Sequence, residues 1–177
     1  YHIQTSVNNA GQSDTIIVSN GTYYENVVLN VLRITVRGPY VNQINEDVII
    51  DAQDNGVAIT ISKAEIKLFG LNITNSHEED DIFTSSAVKV LSNKNTIAFN
   101  KMSSSYVGLL LEDTSGNTIH NNLIDSVDYG LILTHADNNI IQDNTILDVE
   151  EDDIELTNTG YSDGSTDNTI TNNRFNF

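Results

Sequence analysis

The chain has 177 residues, with 25 Asp or Glu against 8 Lys or Arg, a formal net charge of −17, one Pro, no Cys and no Trp. That length fits one domain, the acidity excludes holding a phosphate backbone through a basic patch, and without Cys there is no disulfide framework, thiolate metal site or cysteine nucleophile. No apolar run reaches the roughly 18 residues that span a bilayer, while Ile and Val are too abundant for disorder and, with Asn, Thr and Gly, predict many short strands joined by turns.

In chain order, Asp14-Thr15-Ile16-Ile17-Val18 leads into Asn20-Gly21-Thr22-Tyr23-Tyr24-Glu25-Asn26-Val27. Arg33-Ile34-Thr35-Val36-Arg37-Gly38 and Val48-Ile49-Ile50-Asp51-Ala52 follow as further short strands. Gly56-Val57-Ala58-Ile59, with Leu68, Leu71 and Ile73 after it, is the first copy of a repeat that then becomes regular. Asn95-Thr96-Ile97 with Asn100 and Met102 is repeated as Asn117-Thr118-Ile119 with Asn122 and Ile124. It recurs as Asn139-Ile140-Ile141 with Asn144 and Ile146, and as Asn168-Thr169-Ile170 with Asn173 and Phe175, at offsets of 22, 22 and 29. Between these lie Ala87-Val88-Lys89-Val90, Gly108-Leu109-Leu110-Leu111, Gly130-Leu131-Ile132-Leu133 and Asp153-Ile154-Glu155-Leu156.

Each copy is too short for a helical repeat and alternates with period two, so it reads as two or three short strands per turn of about 22 residues. Successive turns would stack their strands about 4.8 Å apart in parallel sheets, with Leu109, Leu111, Ile119 and Ile124 pointing inward. An inward Asn at each tight corner would bond backbone groups and its own counterpart one turn away. The prediction is an all-β solenoid of about seven coils, a single domain over 1–177, with irregular early coils over 14–73 and regular Asn-ladder coils over 74–177.

The order of these segments, from Asp14–Val27 through Arg33–Gly38, Val48–Ala52, Ala58–Ser62 and Ile66–Ser76 to the repeated Asn-Thr-Ile units, resembles the right-handed parallel β-helix superfamily of pectate lyases, polygalacturonases and pectin methylesterases. In texture it is most similar to the NosD-like, carbohydrate-binding-and-hydrolase-type surface repeat proteins. The resemblance covers nearly the whole chain and implies a right-handed single-stranded parallel β-helix. It implies little about function, because many activities sit on this solenoid. Such proteins often open with a short element capping the first coil, and His2–Ala10 matches it loosely, giving a cap region over 1–13. The chain opens on Tyr1 without a Met and stops in mid-pattern at Phe177. It is therefore expected to be a segment of a longer protein, whose continuation, a partner or a second copy would cover the open C-terminal end.

Function in a solenoid is sought where the repeat breaks. From the residue closing each Asn unit to the residue opening the next strand the gap is 6 (Met102 to Gly108, Ile124 to Gly130) or 7 (Ile146 to Asp153), but it is 14 from Ile73 to Ala87. The extra residues contain His77-Glu78-Glu79-Asp80-Asp81, and the same corner in later coils carries Asp125 and Asp128, then Asp148, Glu150, Glu151, Asp152 and Asp153. Eleven of the 25 acidic residues thus fall on one edge. Three readings stay open. The edge is simply solvated; or it holds Ca²⁺, which accepts irregular sets of oxygen ligands, with Glu78, Glu79, Asp80, Asp81, Glu150, Glu151, Asp152 and Asp153 as candidates; or Asp128, Asp152 and Asp153 are catalytic carboxylates. Inverting glycoside hydrolysis needs two carboxyls about 6.5–9.5 Å apart, which neighbouring coils can supply. The Asn-Thr-Asp, Gly-His-Gly and Arg-Ile-Lys motifs of polygalacturonases are absent.

Tyr106 and Tyr129 fall near one position on adjacent coils beside this edge and are candidates for a glycan-stacking strip with Asp125 and Asp128. Leu110 and Ile132 occupy outward positions flanked by Lys89 and Glu155; they mark either a contact surface or a patch under a loop such as Thr157–Asp167. No His pair has metal-ligand spacing, and no Met or Cys set supports carrying over the copper association of NosD proteins. Asn20-Gly-Thr and Asn72-Ile-Thr match the glycosylation pattern at a frequency chance allows. The sequence therefore points to a non-catalytic extracellular or cell-surface scaffold that binds a glycan or another surface protein, requiring no cofactor, with no nucleic-acid partner and no membrane span. The alternative is a polysaccharide lyase or hydrolase using the acidic corner.

Overall fold

The computed structural model describes residues 2–77, 80–157 and 164–175. Alternating Ile, Leu and Val dictate strands whose side chains point in and out with period two. These strands coil into a right-handed parallel β-helix with three faces. The first face is β1 (Thr15–Ile17), β4 (Thr35–Arg37), β7 (Lys67–Phe69), β10 (Thr96–Ala98), β12 (Thr118–His120), β14 (Ile140–Gln142) and β17 (Thr169–Thr171). The second is β2 (Gly21–Tyr24), β5 (Val48–Asp51), β8 (Asn72–Ser76), the first halves of β11 (Lys101–Glu112) and β13 (Leu123–Thr134), β15 (Thr145–Val149) and β18 (Arg174–Phe175). The third is β3 (Val27–Leu29), β6 (Ile59–Ile61), β9 (Ser86–Val90), the second halves of β11 and β13, and β16 (Ile154–Thr157). Every pairing is parallel and in register; Leu68, Ile97, Ile119 and Ile141, for example, form one inward column on the first face. The seven strands of that face agree with seven coils.

Two of the three corners are held by asparagine side chains. Asn95, Asn117, Asn139 and Asn168 form one ladder, in which each Nδ2 donates to the next Oδ1 at 3.0–3.1 Å. Asn100, Asn122, Asn144 and Asn173 form the second, at 3.0–3.2 Å. Each Oδ1 after the first also accepts the backbone N–H of the Asn one coil earlier, while Asn95 and Asn100 accept from Ile66 N and Leu71 N. One residue beside each Asn takes a left-handed conformation, such as Phe99, Asn121, Asp143 and Asn172 with φ of 53–56°, so a single residue turns the chain.

The third change of direction departs from the sequence expectation. A corner is predicted between Met102 and Gly108 and between Ile124 and Gly130. Instead β11 and β13 each run unbroken for 12 residues, bent at Ser104 (φ 50°) and Ser126 (φ 57°). Ladder pairing resumes at once, Ser105 with Val127 and Val107 with Tyr129, so the bend costs little backbone bonding.

Helix α1 (Ile3–Asn9) closes the first coil with Ile3 and Val7 buried. The Glu25 carboxylate accepts the N–H groups of Ile3 (2.6 Å) and Gln4 (3.1 Å), satisfying two orphan donors of the helix start. The Gln4 amide accepts from Val28 N (2.6 Å) and donates to Val28 O (3.2 Å). A side chain thereby stands in for the missing strand at the edge of β3.

Candidate functional site

The insertion after β8 is the largest departure from the repeat, and its far end is built by local bonds. The Asp81 Oδ1 accepts from Phe83 N (2.7 Å), and the Asp81 carbonyl accepts from Thr84 N and Ser85 N. This turn drops Ile82 and Phe83 onto the outside of β11 and β13, where they pack with Val107, Leu110, Ile132, Tyr106 and Tyr129 in a small cluster separate from the main core. Lys89 fastens it: its ammonium donates to the Phe83 carbonyl at 3.0 Å, lies 5.5 Å from the Phe83 ring centre and pairs with Glu112 at 2.8 Å. Leu110 and Ile132 are consequently fully buried. Their candidacy as an open contact surface is corrected: the acidic insertion itself covers them. Residues 158–163 of the Thr157–Asp167 excursion lie outside the described residues.

Above this cluster stand the aromatic groups. Tyr106 and Tyr129 meet edge to face, ring centres 5.5 Å apart at 73°, and His77 lies 5.4 Å from Tyr106. His77 Nε2 is 3.1 Å from Asp80 Oδ1. Burial pushes the Tyr106 phenol up, reinforced by Tyr129, Asp80 and Asp128. Burial likewise raises the Asp128 carboxyl; His77 opposes the rise, while Glu150, Asp80 and Glu151 add to it. One neighbourhood therefore holds two tyrosines, an imidazole and four carboxylates. A charge here meets partial desolvation and like-charge repulsion, both favouring the protonated acid.

Asp125 is half-buried, with Oδ1 3.2 Å from the Ser126 hydroxyl. Burial and the neighbouring Asp152 raise the Asp153 carboxyl, and backbone bonds tie this pair to the coil of Asp128, with Glu151 N donating to the Asp128 carbonyl (2.8 Å) and Gly130 N to the Asp152 carbonyl (2.9 Å). Glu78 and Glu79 lie outside the described residues. Among the described residues no three His, Asp or Glu side chains gather as a metal site; Asp81 is engaged in its own turn, and Glu150, Glu151 and Asp152 face solvent. The four histidines stand apart: His2 near Glu25, His77 with Asp80, His120 against Phe99 and Asn121, and His135 near Asp113. Of the glycosylation-type triplets, Asn20 is exposed, whereas Asn72 lies within β8 with Oδ1 buried.

Sequence reasoning missed Ile82, Phe83 and the Lys89–Glu112 pair. A signal was present: two apolar residues directly after an acidic run have no reason to stay in solvent when an outward apolar pair lies one coil away.

Residues 7–177 match the family described as periplasmic copper-binding protein (NosD). The chain belongs to the NosD family. No curated protein matches the sequence. The alginate lyase of Paenibacillus sp. str. FPU-7 has a similar fold at 14% identity and TM-score 0.67, with 97% of this chain and 72% of that one covered. The catalytic domain of a GH87 alpha-1,3-glucanase in complex with nigerose gives 13% and 0.64, covering 87% and 29%. Rice weevil pectin methyl esterase gives 17% and 0.57, covering 82% and 53%. At these identities the likeness concerns the β-helix alone. Copper does not fit this NosD-family chain's described residues. It has no Cys, its single Met, Met102, is fully buried in the core, and its histidines are dispersed, whereas copper sites call for imidazole or soft sulfur donors brought together.

Proposed function

We propose that this chain is a rigid glycan-binding module acting outside the cytoplasm, in the periplasm or beyond. Its binding strip is Tyr106 and Tyr129 with His77, Asp80 and Asp128. The observation that carries the reading is the tyrosine pair, held edge to face on the outside of two adjacent coils over a packed apolar base. Aromatic faces take the apolar side of a sugar ring, and nearby carboxylates accept its hydroxyls. The family description and the polysaccharide-active neighbours agree with the location and with a carbohydrate ligand. The test is calorimetric titration with a panel of neutral and acidic oligosaccharides. Tyr129→Ala is expected to weaken binding about tenfold, in keeping with the loss of one stacking face. A parent protein that binds nothing on the panel would sink the reading.

A second reading, polysaccharide cleavage, is favoured by one observation: Asp128 is pushed toward its protonated form in a partly buried site, as a general acid requires. Release of reducing ends by the parent and its loss in Asp128→Asn would establish it; no release from any polysaccharide would remove it.

A further inference from the structure

The first sheet has a charge pattern opposite to that of the acidic bend. None of its outward positions, two on each of seven strands, is Asp or Glu. Four of the eight basic side chains in the protein gather on its early coils. Arg37 and Lys67 lie on β4 and β7, facing outward, and Arg33 and Lys94 occupy the adjoining corner on either side of Glu65. These three corner residues share one left-handed conformation (φ 60–63°), so they stack coil upon coil.

Arg33 pairs with Glu65 at 2.9 Å. Lys94 feels the Glu65 charge at longer range. Among the described residues neither Lys67 nor Lys94 forms an ion pair. The Arg37 guanidinium reaches the carbonyls of Gly38 and Pro39 through Nη1. The four cations and Glu65 leave three positive charges in excess, on a molecule of net charge −17. Two adjoining grooves of about 440 and 270 Å³ run beside them and share Thr35 and Lys67. The hydroxyls of Thr35 and Thr96 line the first, and Phe69 and Val41 flank the second.

We infer that this outer face is a second binding site, for an anionic polysaccharide. Cations left without carboxylates select an anion. They are spread over successive coils about 4.8 Å apart, close to the advance of one pyranose ring in an extended chain, so the ligand carries its charge at intervals along a strand. Hydroxyls and an apolar flank fit sugar rings.

The experiment is affinity electrophoresis through gels containing polygalacturonate, dextran sulfate or neutral dextran, with and without added salt. The Tyr129→Ala protein, with the tyrosine strip disabled, is expected to be retarded by an anionic polymer and not by neutral dextran, and salt should weaken the retardation. Retardation by one anionic polymer alone supports the site and names the anion as carboxylate or sulfate. In that background Lys67→Ala/Lys94→Ala should lose about tenfold in affinity, while the charge-matched control Lys101→Ala/Arg174→Ala should keep it. Lys67→Ala/Lys94→Ala should leave the melting midpoint unchanged, since both side chains are exposed. The Tyr129→Ala background keeps this test apart from the tyrosine strip. No retardation of Tyr129→Ala, equal retardation with and without Lys67→Ala/Lys94→Ala, or equal retardation by neutral dextran in that background would overturn the inference. So would sedimentation in which Lys67 and Lys94 govern self-association and no polymer binds.

Discussion

The corner between the first and second faces and the bend between the second and third use the same backbone device. One residue in the left-handed region turns the chain: Phe99, Asn121 and Asp143 at the first, Ser104, Ser126 and Asp148 at the second. They differ in what points inward beside it. At the corner it is Asn100, Asn122 and Asn144, each bonded to the next. At the bend it is Ser76, Ser105, Val127 and Val149, which pair along the sheet without an amide ladder. Ser76 Oγ there is buried without a partner. The ladder fixes one geometry in the coils it spans, because removing any member strands its neighbours' donors. The bend has no such constraint, so it accepts an insertion, and its outward side chains are free to carry charge and aromatic groups.

The largest effect should come from breaking the ladder. Asn122→Ala removes the acceptor of the Asn100 N–H and amide and the donor to the Ile97 carbonyl, all buried. Leaving such groups unsatisfied costs about 1–3 kcal/mol each, so urea unfolding should show a loss of about 3 kcal/mol or more. Ser105→Ala at the bend should lose about 1 kcal/mol, since it frees one buried donor, Ser76 N, from a long bond (3.3 Å) and takes its own bond to Ser103 O with it. Equal losses would mean that the two turns are not different in kind.

Next in size is the cover over the bend. Phe83→Ala removes a half-buried ring from the cluster with Leu110 and Ile132 and a cation–π partner of Lys89. Full core truncations of Phe cost about 3–5 kcal/mol; a half-buried one should cost about 2 kcal/mol and speed amide exchange at Leu110 and Ile132. An unchanged midpoint would show that the insertion is not held down.

The ladder was legible in the sequence because each rung repeats one residue type at a fixed offset, and the inward Leu and Ile columns were legible for the same reason. The bend was not, since a six-residue gap is compatible with either a turn or a kinked strand, and one left-handed Ser leaves no compositional mark. The cover over Leu110 and Ile132 required knowing that Ile82 and Phe83 fold back, a tertiary fact. The cationic face escaped because Arg33, Arg37, Lys67 and Lys94 are scattered over 62 positions of a strongly acidic chain and meet only when coils stack. The acidic residues were conspicuous as runs, but a run does not set where each carboxylate points, and Asp81 proved to be occupied by its own turn.

The smallest expected effect probes the bend's electrostatics. Asp128 faces His77 and Asp80 from the insertion and Glu150 and Glu151 from the next coil, and its carboxyl is held above the ordinary range, chiefly by burial. The folded protein therefore binds this proton more tightly than the unfolded chain. Stability from this group is fully present below the unfolded value, about 3.9, and is lost as pH rises through the raised folded value. Asp128→Asn removes the unfavourable charge, so the variant should melt above the parent at neutral pH by a degree or two, consistent with well under 1 kcal/mol in a domain of this size (~2–4 °C per kcal/mol). The two curves should converge toward pH 4. Asn122→Ala, by contrast, should lower the midpoint equally at both pH values, because no titrating group takes part in the ladder. If Asp128→Asn and the parent differ by the same amount at both pH values, the bend's carboxylate is not in the raised state that its neighbours impose.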